Sequence, residues 1–250
     1  MNEISRPLLK TNAKVIITTA KPSIIKAGLI FVAVSLLLNT LSNRVLGVNI
    51  SYDEAQQYMN YYINGDYQAL LRLSESMIPP SQAYLINALI QIVLYILGAG
   101  FLIFILNTVK GVGAVYGNLL DGFSLAGKLI LLALLEGLFI FLWSLLLVIP
   151  GIIAAYRYRM AKFLLLDHPE MGVMEAISTS KQMMAGHKGE CFVLDLSFIG
   201  WWLLAAIPYI GIAVSIWATP YFNTTYVLYY MALAGKPVAA PAAPGQDPYL

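Results

Sequence analysis

Charge is what this chain has least of. Only 11% of its 250 residues are Asp, Glu, Lys or Arg, about half the share of a soluble domain. No basic ribbon of the kind a nucleic-acid binder needs can be assembled from so few. The chain has one cysteine, Cys191, so an internal disulfide is excluded, and a small apolar filler is its ordinary role. His168 and His187 have no metal-ligand spacing, so no metal and no cofactor is expected. There are no carboxylates paired as in glycosidases, no serine elbow and no phosphate loop. Gly111, Gly113 and Gly117 follow no strand, and Gly113 and Gly117 have the spacing of close helix packing.

What fills the chain instead is apolar sequence, 59% of it, in long continuous runs. In lipid every backbone N–H and C=O must be paired within the segment, which leaves only helices or a closed barrel. The runs do not alternate, so helices are expected. The fold class is an all-α, polytopic transmembrane bundle of six spans with amphipathic interfacial helices. The spans fall at about 23–41, 83–106, 129–149, 151–166, 191–207 and 211–233.

Residues 1–22 form a basic lead, with Arg6, Lys10, Lys14 and Lys21 among apolar residues, suited to a helix on the membrane surface. Residues 42–82 form an outer loop. Ser51 and Glu54 are spaced as a capping box, Asn64-Gly65 stops a first short helix, and Asp66 starts a second. An inner helix covers 167–185, with Asp167 and Glu170 as its capping box and Gly186 as its stop. Pro150 and Gly151 end the third span, and Pro220 should end or kink the sixth. The Ala- and Pro-rich tail 234–250 lacks the residues for a core.

Orientation follows from counting. Of the 15 basic residues, nine fall inside if the amino terminus is inside: Arg6, Lys10, Lys14, Lys21, Lys110, Lys128, Lys181, Lys188 and Lys236. The outer loop has only Arg44 and Arg72, beside four acids. This bias is the positive-inside rule, and it places both termini on the cytoplasmic side of the cell membrane.

Ionisable residues within spans are costly and must pair or meet water. Five stand out: Glu136, Arg157, Arg159, Lys162 and Asp195. Counting ~1.5 Å per residue from the inner boundary matches Glu136 with Arg159 and Lys162 with Asp195 in depth. Such pairs either fix helix register or build a transport path, and both readings stay open. Arg157 has no matching acid, so its expected contact is a lipid phosphate or other ligand, or else a carbonyl of the bundle.

Several motifs resemble a known family. They are Ile149-Pro150-Gly151-Ile152-Ile153, Tyr156-Arg157-Tyr158, Glu175-Ala176-Ile177 with Ser180-Lys181, and Met184-x-Gly186-His187-Lys188. Ser197-Phe198-Ile199-Gly200-Trp201 and Pro220-Tyr221 complete the set. Together they are similar to the bacterial integral-membrane family called domain of unknown function 975. The layout is also similar to the membrane domain of some glycerophosphodiester phosphodiesterases, but the chain has no catalytic domain of that kind. The resemblance implies a multi-span membrane protein of bacterial origin and no particular activity.

The expected function is therefore non-enzymatic: binding of membrane lipids or of another membrane protein. The alternative is a small permease that uses the Glu136, Arg159, Lys162 and Asp195 cluster. Reporter fusions at the two ends should both signal the cytosolic side. A carboxyl terminus on the side opposite the amino terminus overturns the layout.

Overall fold

The structure is a computed structural model and describes residues 5–47, 52–76, 78–207 and 210–236. Among these the regular elements are helices. The chain divides into two compact units, one of residues up to Val32 and from Ile96 onward, the other Ala33–Tyr95.

In the first unit, the basic lead is a helix, α1 (Arg6–Thr19), as expected. Its apolar stripe is not left open. Leu9, Asn12, Ala13 and Ile17 are buried as α1 packs on α12 (Ile210–Leu233). A second helix, α2 (Ile24–Val45), starts after Ser23, whose Oγ accepts from the Lys26 amide at 3.3 Å. Its first turns belong to this unit and pack closely at Gly28, where an added Cβ would lie 2.5 Å from Pro220 Cγ.

In the second unit, α3 (Tyr52–Ile63) and α4 (Tyr67–Ser76) pack on each other. Between them Gly65 takes φ +67° and Asp66 accepts from the Ala69 amide at 3.0 Å, the stop and start signals the sequence carries. Ser51 of the expected capping box lies outside the described residues. Within this unit Ser42 donates to Asn87 on α5 (Ser81–Lys110).

Three helices are long and apolar enough to cross a membrane among the described residues: Ile24–Val45, Ser81–Lys110 and Tyr116–Leu146. The last joins a 3-10 segment, Tyr116–Leu125, to α6 (Ala126–Leu146). Six such spans were expected. The expected fourth and fifth are each two short helices: α7 (Val148–Tyr158) with α8 (Ala161–Asp167), and α10 (Lys188–Leu196) with α11 (Ile199–Ala205). The expected sixth is one helix, α12, long enough but diluted by polar residues around Asn223–Thr225.

Several boundaries move. The third span breaks at Leu147, which is extended, rather than at Pro150 and Gly151. Pro150 sits in the first turn of α7, where the missing N–H costs nothing. Gly151 instead lets α7 fold tightly back on α6, since a Cβ there would lie 2.0 Å from Ser144 Oγ. The inner helix starts later, as α9 (Val173–Met183). Its cap is Glu175, accepting from the Gly172 amide at 3.3 Å, not the Asp167 and Glu170 pair. Asp167 instead closes α8. Gly186 does end the following turn, at φ +85°.

Pro220 lies inside α12 without ending it. Asn223 and Thr225 donate to the carbonyls of Thr219 and Tyr221, not to that of Ile216, whose partner proline removes. Close packing does not fall at Gly113 and Gly117. It falls at Gly100 and Gly122, where α5 meets the 3-10 segment and a Cβ on Gly100 would be 2.0 Å from the Leu119 carbonyl oxygen. Gly100→Ala should therefore lower stability in detergent by about 1–3 kcal/mol through overpacking. Gly127→Ala, with nothing within 4 Å, should be neutral. Equal melting temperatures for the two variants contradict the contact.

Candidate functional site: charges at two helix breaks

Both interrupted segments carry a charge at the interruption. Arg159 is the residue after α7, and Asp195 is the penultimate residue of α10. Arg159 Nη1 reaches Asp195 Oδ2 at 2.8 Å and Nη2 reaches Oδ1 at 3.1 Å, a bidentate pair. The Tyr156 hydroxyl also donates to Oδ2 at 2.8 Å, and the Tyr226 hydroxyl donates to Oδ1. The guanidinium lies 4.7 Å from the Tyr226 ring centre and 5.5 Å from that of Tyr156. Each carboxylate oxygen thus accepts twice, and the charges cancel. A half-buried ion pair is tolerable only with this degree of satisfaction.

The partners differ from those the depth count matched. Arg159 pairs with Asp195, not with Glu136. Lys162 and Glu136 act on each other. The reason is the break at Arg159–Met160. Residues 159 and 162 share a face only on a continuous helix. Here α7 packs on both α6 and α10, and α8 packs on α9 and α6; at the break Arg159 meets Asp195, while Lys162 interacts with Glu136. Glu136 keeps one buried oxygen, Oε1, without a hydrogen-bond partner. Arg157 is exposed, and among the described residues its guanidinium has no ion pair or hydrogen bond. Pro150, Gly151 and Pro220 serve packing, as above, and do not join this cluster.

Ser180 closes the first break. It accepts from the Met160 amide at 3.1 Å and donates to the Arg157 carbonyl at 3.0 Å. Motif reading along the chain overlooks this role, although a signal for it exists. Ser180 continues the buried stripe Val173, Ala176, Ile177 of α9, and a polar residue in such a stripe needs a partner. At the second break, Lys10 of α1 donates to the carbonyl and hydroxyl of Ser197, each at 3.1 Å, and sits 4.6 Å from the Phe198 ring centre. Burial pushes its ammonium pKa down, and the Lys14 charge adds to that.

A second hub also escapes the sequence reading. The Asp167 carboxylate is fully covered, pairing with Lys110 from α5 and with Lys236 beyond α12 at 2.6 Å. It also accepts from the Tyr230 hydroxyl at 2.7 Å. Lys128 donates to the carbonyls of Pro169 and Met171 at 2.5 and 3.0 Å. No group of acids, histidines and cysteines placed to hold a metal occurs among the described residues.

Fold and site define a class: an all-helical protein with apolar helices able to cross a membrane and a charge network built at helix breaks. Residues 144–236 match the model of a family described as protein of unknown function, DUF975. The match covers both breaks and the Arg159–Asp195 pair. No curated protein and no solved structure matches the chain.

Asp195→Asn should cost about 3 kcal/mol, the low end for breaking a buried pair. Exchanging Arg159 and Asp195 should recover part of that loss in thermal unfolding, while exchanging Glu136 and Arg159 should recover none. Ser180→Ala should cost about 1–3 kcal/mol by orphaning an amide and a carbonyl. The reverse ranking of the two exchanges contradicts the pairing.

Proposed function

We propose that this chain is a non-enzymatic integral protein of the cytoplasmic membrane, with both ends in the cytosol, that binds membrane lipid or a membrane protein partner. The observation that carries this reading is the closure of Asp195. A transport path needs carboxylates with free acceptor sites facing water, and both oxygens of Asp195 are filled by Arg159, Tyr156 and Tyr226. Arg157 is the residue assigned to an anionic headgroup. It is exposed in an otherwise apolar helix, and an arginine there needs a phosphate or a carbonyl.

The second reading, a small permease, draws on the unpartnered Oε1 of Glu136. In that reading Glu136 would exchange a proton or bind a cation, and Glu136→Gln would abolish flux into proteoliposomes.

The chain should stay in the membrane fraction through an alkaline carbonate wash. Purified in mild detergent, it should retain anionic phospholipid or a co-purifying membrane protein by mass spectrometry. Arg157→Ala should lower the retained lipid several-fold with an unchanged melting temperature. A wild-type chain that retains neither lipid nor partner overturns the reading, and flux that depends on Glu136 replaces it with the permease.

A further inference from the structure

Two hairpins in the larger unit are apolar in the described residues at their ends. One turns at Leu147 between α6 and α7, with Leu147 69% and Ile149 70% exposed. The other lies between α11 and α12, where Trp202, Leu203, Ile210 and Ile212 are exposed. Residues 142–153 and 199–213 contain no Asp, Glu, Lys or Arg. A loop that emerges into water on the far side of a membrane has no reason to be so apolar.

Lysines mark a level on these hairpins. Lys181 of α9 lies 5.9 and 5.6 Å from the ring centres of Phe139 and Tyr158. Lys10 is held at Ser197 and Phe198, and the exposed Lys14 lies 5.8 Å from the Tyr221 ring centre. The exposed Lys26 is two residues before Gly28, which abuts Pro220. Arg159 and Asp195 join the two hairpins at the same level. Counted along the chain, the marked positions lie 8–12 residues from a tip: Phe139, Tyr158 and Arg159 from Leu147, Ser197 and Asp195 from Ile207, Pro220 and Tyr221 from Ile210. At a rise of ~1.5 Å per residue this is about 12–18 Å.

The hydrocarbon core of a bilayer is about 30 Å thick. If the hairpins crossed it fully, these lysines would sit near its centre, where an exposed ammonium is very costly. If the tips reach only to the centre, the lysines sit among the headgroups. Helix lengths agree. Twenty residues of α5 precede Phe101, which also lies beside Gly28, and they span about 30 Å. Only ten residues of α12 precede Pro220.

We propose that both hairpins are re-entrant. They enter the leaflet beside the lysines, bury their tips among its acyl chains, and leave on the same side. Then, among the described helices, α2 and α5 alone cross, and α6, although apolar along its length, dips instead. Each hairpin returns to its side of entry, so the termini stay together as they would with six spans. The inference rests on the membrane reading above.

The test uses the full chain with Cys191→Ala and a single fluorophore-labelled cysteine at Leu147 or Leu204, or at Ile149 or Ile152 where either of those fails to fold. The chain is placed in phosphatidylcholine–phosphatidylglycerol vesicles that contain lipid spin-labelled near the headgroup or near the methyl end. The tips should be quenched several-fold more by the methyl-end label and should be shielded from iodide on both sides. Headgroup-level quenching with iodide access from the side opposite the lysines means full crossing and overturns the proposal. Quenching by neither lipid label means the tips are covered by protein, for example a second copy, and also overturns it. Extraction of the chain by carbonate would instead sink the membrane reading itself.

Discussion

The Arg159–Asp195 ion pair is the interaction on which the carboxy-terminal half depends. It joins two helices that are each interrupted beside it, and it recruits Tyr156 from α7 and Tyr226 from α12. Four side chains from three helices converge in one network. In an apolar setting such a network is tolerable only when complete, because each donor removed leaves a buried group unpaired. That requirement sets the relative placement of α7, α10 and α12 more tightly than apolar contacts alone, which tolerate sliding.

The interruptions themselves are compensated locally. A helix break frees amides and carbonyls that lipid cannot satisfy. Ser180 takes one of each at the first break. At the second, Lys10 binds the Ser197 carbonyl, and the Ser197 hydroxyl donates to the Leu194 carbonyl at 2.6 Å. The polar helices α1 and α9 thus belong to the same construction. They supply the groups that let the apolar helices stop and turn.

Much of this is legible along the chain. The long apolar runs predict α2, α5 and α6 because a continuous run has one stable form in lipid. Gly65, Asp66 and Gly186 act where the local rules place them, since turn and cap chemistry depends on near neighbours. The charged residues of the network are also identifiable, because a charge in an apolar run stands out. Their partners are not. Matching depths assumes unbroken helices, and the helix breaks at Arg159–Met160, where Arg159 rather than Lys162 takes Asp195. Nothing local marks that break, which has no proline or glycine and is held by a serine twenty residues on.

The motifs between residues 144 and 236 point to the family on their own, because spaced Pro-Gly, Arg and Ser residues form a linear pattern that needs no fold to be read. By itself, then, the sequence determined helical class, apolar character, the family resemblance of residues 144–236 and the inventory of costly polar groups, all of which depend on composition and local spacing. Tertiary structure alone decided which acid meets which base, that Asp167 gathers Lys110, Tyr230 and Lys236, and how far each hairpin extends past the lysines. Those depend on where helices bend and cross, and bending is set by contacts distant in the chain.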